Sequence, residues 1–250
     1  MVFFVFLIGA CLGSFYYVVG TRLPKGLNAI NDRSKCDNCG HTLAWWQLMP
    51  LLSYIFLRGK CYYCQKRINP LHFIIELVMG LAFAFAYRFY GVSYQMYIFM
   101  IVSSLTILIF ITDFSYYIIL DSPLVIASLL VIILKLYYFN LNEVGLSILS
   151  GIVLFFTMLF IKFIGDFIFK RESLGGGDIK FAFVMGLVLG FRLGLVALIV
   201  STFLALPYSS ASLMLKKNNE VPFGPFLVSS LFIVSFFINK FSNIIDLFMR

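Results

Sequence analysis

A chain of 250 residues that is 62% hydrophobic and only 12% charged cannot coat a water-soluble globule, since a soluble domain carries about twice that charged fraction. A bilayer removes the requirement, so the composition points to an integral membrane protein and excludes a soluble one. The formal charge of +8 fits either a nucleic-acid partner or the cytoplasmic Lys/Arg bias of membrane proteins, and the placement of the charges decides between them.

Crossing a hydrocarbon core of ~30 Å as helix takes about 20 mostly apolar residues. Taken in chain order, apolar stretches at 1–21, 71–87, 89–112, 122–141, 144–164, 179–191, 193–215 and 221–239 predict eight transmembrane helices. The first, third, seventh and eighth carry no charged side chain at all. The sixth is short, and Pro207 is placed to kink the seventh. The first lacks a basic start and a small-residue cleavage site, which makes it a retained helix and not a removed signal.

One segment, 22–70, has a soluble character. It holds eight basic residues, four of the five cysteines and both tryptophans. If its Lys and Arg mark the cytoplasm and the helices alternate, Lys162, Lys170, Arg171, Lys180, Lys216 and Lys217 fall inside as well. Arg88, Lys135, Arg192, Lys240 and Arg250 then fall outside, a division of fourteen against five. The N-terminus is expected outside. The charge needs no nucleic acid, and the expected fold is an all-α polytopic membrane protein with a small cytoplasmic knuckle module after its first helix.

Within that module, Cys36-x-x-Cys39 and Cys61-x-x-Cys64 are separated by 21 residues. A two-residue spacer lets both thiolates of one knuckle reach one ion, and two knuckles complete a tetrahedral sulfur site for zinc. A redox pair or a cross-linked loop is the competing reading, which a reducing cytoplasm disfavours. With all four positions filled by sulfur, the ion staples a segment too small to build much core. Cys11, alone on an apolar helix, reads as packing.

Two acids stand in unusual surroundings. Asp113 closes the charge-free run ending at Thr112, and Asp178 follows Gly175, Gly176 and Gly177. The Lys/Arg topology places both at the cytoplasmic ends of their helices, at one depth. Neighbouring carboxylates that share a proton supply one base and one acid, the equipment of peptide hydrolysis. The glycines let an extended backbone approach closely. Each acid also has a blander reading: Asp113 as an interfacial residue in water, Asp178 as a complement to a helix N-terminus. A transporter with intramembrane acids is the alternative function, but a proton relay needs ionisable groups at several depths, and the outer halves of the helices are nearly free of acids.

At this point the chain resembles the prepilin peptidases, membrane aspartyl proteases, over nearly its whole length. The resemblance rests on Gly13-Ser14-Phe15, Arg22-Leu23-Pro24, the two cysteine pairs, Pro50-Leu51-Leu52-Ser53-Tyr54, Arg58-Gly59-Lys60 and Glu76. It continues through Asp113 with Asp121, then Gly175-Gly176-Gly177-Asp178-Ile179-Lys180, then Pro222-Phe223-Gly224-Pro225. Leu120 and Tyr17 depart from the usual proline and asparagine of the family. The resemblance implies that Asp113 and Asp178 are the catalytic pair in a peptidase core spanning 71–250, supported by Gly175, Gly176, Gly177, Lys180 and Asp121. It implies type IV pilin-like precursors as substrates, cut at the cytoplasmic face of a bacterial plasma membrane. The Phe-, Ile- and Asn-rich composition suits an AT-rich bacterium and brings competence pseudopilins into that class. The resemblance alone also implies methylation of the new N-terminus from S-adenosylmethionine. Glu76 pairs with Arg67 or Lys66 on one reading and helps hold the methyl donor on another.

Overall fold

The computed structural model describes residues 1–28, 33–170, 172–214, 222–238 and 240–242. Arg171, Lys216, Lys217 and Arg250 of the charge count lie outside them. Among the described residues the protein is helical throughout, with no strand and two isolated antiparallel bridges, Lys35 with Thr42 and Lys60 with Arg67. The chain divides into two compact units, Met1–Met96 and Tyr97–Arg250.

In the first unit, α1 (Val2–Arg22) packs along α3 (Pro70–Tyr90), and the knuckle module with the short α2 (Leu52–Phe56) lies between them in sequence. In lipid no hydrophobic force drives two apolar helices together, so close backbone approach at small residues must do it. A Cβ on Gly9 would stand 2.6 Å from the Met79 carbonyl, and one on Gly13 would stand 3.0 Å from that of Ile75. These two glycines are what lets α1 lie against α3. Asn69 starts α3 by accepting the Leu71 amide at 3.0 Å, and Pro70 occupies the first turn, where its missing N–H costs nothing.

The second unit contains α4 (Tyr94–Tyr116, all but its first turn), α5 (Asp121–Tyr138), α6 (Leu141–Phe169), α7 (Gly176–Met214) and α8 (Gly224–Phe236). α7 is the central element. It packs against α5, α6 and α8, and Phe181, Ala182, Met185 and Leu187 are fully buried along its first half. A helix apolar all round is one with neighbours all round. α6 approaches α7 at Gly151 and Gly186, whose backbones are too close to admit a side chain on either.

Among the described residues six helices are long and apolar enough to cross a membrane, against the eight expected. The difference lies in the last three expected spans. The sixth and seventh run on as one 39-residue element, α7, two helices joined across a break beside the boundary expected between 191 and 193, and the eighth, α8, has only 13 residues. Unbroken, α7 would run to ~58 Å, about twice a hydrocarbon core. Its helical geometry is interrupted at Gly190 (φ 77°, ψ 177°), a conformation open to glycine and strained for other residues. The interruption falls there and not at Pro207, which stays inside the helix.

Candidate active site and candidate metal centre

α4 ends when Tyr117 turns to a positive φ of 55° while its amide still reaches the Asp113 carbonyl at 3.0 Å. Asp113 therefore occupies the last turn of α4, and Asp178 occupies the first turn of α7. Both are buried, with 5% and 7% of their surface exposed. The Gly224 amide, at the start of α8, donates to Asp113 Oδ2 at 2.9 Å, and the Gly175 amide bonds to Asp178. Ile119 ties the two sites together. A Cβ on Gly177 would stand 2.7 Å from Ile119 Cβ, and a Cβ on Gly224 would stand 2.9 Å from Ile119 Cδ1. The end of α4 and the starts of α7 and α8 thus meet around one side chain, with each carboxylate in electrostatic reach of the other.

Asp121 opens α5 and receives Lys180 Nζ on both carboxylate oxygens at 2.7 Å. The pair is half exposed, and such pairs contribute about 0–1 kcal/mol. Its effect is positional, because it ties the start of α5 to the first turns of α7, beside Asp178.

The sequence reading missed two participants. Ile119 carries no chemical signal and could not have been singled out. Gly224 was visible only as part of Pro222-Phe223-Gly224-Pro225, without a role. Gly224→Ala is expected to push the Asp113 carboxylate aside, since the new Cβ would lie 2.8 Å from Oδ2. If Asp113 reacts, as the resemblance implies, a displacement near 1 Å there lowers rate by about 10²-fold. Turnover of a leader substrate, measured alongside helix content, checks this; an unchanged rate would show that the contact does not hold the acid.

The four expected thiols come together in the first unit. Their sulfurs all lie within 4.8 Å of one another, and Cys36 Sγ is 3.9 Å from Cys64 Sγ. A sulfur tetrahedron with ~2.3 Å metal bonds has edges of about 3.8 Å, so the donor set fits such an ion with small adjustments. The two knuckles repeat one another at an offset of 25 residues. Cys36 N–H bonds to the His41 carbonyl and Cys61 N–H to that of Lys66, both at 2.9 Å. Gly40 and Gln65 take the same left-handed turn, at φ 70° and 58°. Asn38 joins the two, donating to Cys64 Sγ at 3.4 Å and accepting Lys66 Nζ at 2.7 Å. The Asn38 hydrogen bond, followed by the Lys66 amide, pulls the Cys64 thiol down to about 6, and the Cys39 amide lowers Cys36. Against the His41 amide, desolvation and the neighbouring sulfurs push Cys39 up to about 11. Thiolates are the form a metal takes.

Glu76 is buried in α3, and its partners differ from those expected. Oε2 accepts the Leu51 amide at 2.7 Å and Oε1 meets His72 Nδ1 at 3.0 Å, in place of Arg67 or Lys66. The reason is tertiary: Leu51 starts α2 at φ 62°, and the carboxylate reaches across 25 residues to hold it. Around them is a cavity of about 240 Å³ lined by Tyr17, Asn38, Gln47, Tyr54, His72 and Glu76 among others. Gln47 Nε2 is buried there without a partner among the described residues.

Comparison with known proteins gives a consistent result. Residues 7–90 match the bacterial peptidase A24 N-terminal domain, and residues 99–210 match the type IV leader peptidase family. A Bacillus subtilis protein named prepilin leader peptidase/N-methyltransferase is 32% identical, the alignment covering 90% of each chain. A Vibrio cholerae protein of the same name is 30% identical over 92% of this chain and 94% of its own. No solved structure matches.

Proposed function

Because this chain belongs to the type IV leader peptidase family, we propose that Asp113 and Asp178 are its acid pair, cutting the leader from pilin, pseudopilin or competence precursors at the cytoplasmic face. The observation that carries this reading is the convergence of two buried carboxylates around Ile119, beside three glycines and the start of α8. One carboxylate takes a proton from water, and the water oxygen attacks the scissile carbonyl. The other, protonated, donates to the carbonyl oxygen, and the amine leaves with a proton as the intermediate collapses. Gly176, with nothing within 4 Å of where a Cβ would stand, leaves room for the extended substrate backbone. On this reading residues 22–70 lie in the cytoplasm and the N-terminus lies outside, in agreement with the Lys/Arg division. Incubating the protein in vesicles with a precursor bearing a short polar leader, ending in glycine before a hydrophobic helix, should yield the shortened product. Intact precursor would overturn the reading.

The metal best suited to the four thiolates of Cys36, Cys39, Cys61 and Cys64 is zinc, held as a closed structural site with no open position for catalysis.

A second activity, methylation of the new N-terminus, is supported by the names of the relatives and by the cavity in the first unit. S-adenosylmethionine, when bound, supplies a methyl group on a sulfonium. The unpartnered Gln47 amide, the Glu76 carboxylate and the rings of Tyr17 and Tyr54 are chemically fit to take an adenine edge, a cationic or hydroxyl group and a flat heterocycle. Gln47→Leu is expected to weaken donor binding, measured by calorimetry, on the order of tenfold. Equal affinity would remove Gln47 from the site, whereas a processed product that never gains a methyl's mass would remove the activity itself.

A further inference from the structure

We propose that residues 45–57 lie in the plane of the membrane surface, with one face dissolved at the boundary between lipid headgroups and acyl chains. The segment Trp-Trp-Gln-Leu-Met-Pro-Leu-Leu-Ser-Tyr-Ile-Phe-Leu has no charged residue, although it stands in the most basic loop of the chain. It folds as a 3-10 turn, Trp45–Leu48, followed by α2, Leu52–Phe56.

The two faces of this segment differ. Gln47 and Leu51 are buried, Leu51 is held by Glu76, and Tyr54 lines the cavity and stacks on Phe73 at 5.0 Å. The inner face is therefore turned to the cavity and to α3, away from solvent. The outer face carries Trp45, Leu48, Met49, Leu52, Ile55 and Phe56, all exposed, Trp45 and Phe56 to 78%. Trp45 and Leu48 share a side of the 3-10 turn, and Leu52, Ile55 and Phe56 share a side of α2. Such a cluster of large apolar side chains on a loop facing water is unfavourable, and at a bilayer surface it is the binding face.

Three features commit this face to lipid. The loop leaves α1 and enters α3, two helices of membrane-crossing length that pack together, so the module emerges at a bilayer surface. Tryptophan and tyrosine concentrate at that level, with the apolar ring sunk and the polar edge wet. Arg58 and Lys60 follow the segment directly, and Lys35, Lys66 and Arg67 stand in the knuckles, where anionic headgroups attract them.

The only two tryptophans of the chain lie in this segment, so intrinsic tryptophan fluorescence has a single origin. The full-length protein would be reconstituted in phosphatidylethanolamine–phosphatidylglycerol vesicles, with lipids brominated either near the headgroup or near the chain end. The expected result is blue-shifted emission, resistance to aqueous iodide, and greater loss of emission with the shallow bromine than with the deep one. Trp46→Phe isolates the exposed Trp45 and should strengthen the same pattern. Three outcomes would each overturn the proposal: water-like emission quenched by iodide, insensitivity to both quenchers (a protein cover), or stronger quenching by deep bromine (a crossing segment). None of them bears on leader cleavage.

Discussion

Asp113→Asn and Asp178→Asn should each abolish leader cleavage while the protein remains inserted and helical. Asparagine keeps the size of the side chain and the Gly224 amide contact at position 113, so packing around Ile119 is retained. It removes the ability to take or give a proton, a contribution of about 10²–10⁴-fold for one acid–base group. Because the two acids would act as a unit, the double variant should be scarcely slower than either single one. Asp121→Asn makes the contrast. It loses an exposed pair with Lys180 and should slow cleavage only a few-fold, in line with about 0–1 kcal/mol for such pairs. Product formation from a pilin-like precursor in vesicles measures all four. Near-normal turnover by either dyad variant would sink the assignment, and a large loss from Asp121→Asn would bring that residue into the chemistry.

Cys61→Ser is expected to release the metal and unravel the knuckle module. Cys61 is the buried member of the four, and its N–H closes the second knuckle on the Lys66 carbonyl. Structural zinc sites supply roughly 10–16 kcal/mol of folding free energy at neutral pH, far more than the sparse core around Leu51 and Gln47 can. Limited proteolysis should then cut within residues 33–68 in the variant, and in the unaltered protein after chelation, while α6 and α7 stay protected. A metal content of zero in freshly purified unaltered protein, or a variant as resistant as the parent, would overturn the zinc reading.

The membrane class was legible from composition, and the positions of the long helices followed from long apolar stretches with no charge or only one. The two cysteine pairs also announced themselves, because ligand spacing is a local property: a knuckle must bring both thiols to one point within four residues. The 25-residue repeat of the knuckles extends further, since the same bridge and left-handed turn recur on residues as different as Gly40 and Gln65. Asp113 and Asp178 stood out because an acid at the edge of an apolar run is rare, and the motifs around them are specific.

Other features had no local signature. Counting apolar windows divided α7 between 191 and 193, beside its break at Gly190, but it also offered Pro207, where the helix runs on, and nothing local marked which of the 18 glycines would carry the break. Basic neighbours in sequence suggested Arg67 or Lys66 for Glu76, whereas the fold gave it Leu51 and His72. A hydrogen bond such as that from Gly224 to Asp113 spans 111 residues, and no window of sequence contains both ends. By itself, then, the order of residues determined the solvent this protein folds in, where its long helices run and which side chains stand out as candidates for chemistry. Only the tertiary structure decided which of those side chains meet, because close approach of two helix ends depends on packing volumes contributed by segments far apart along the chain.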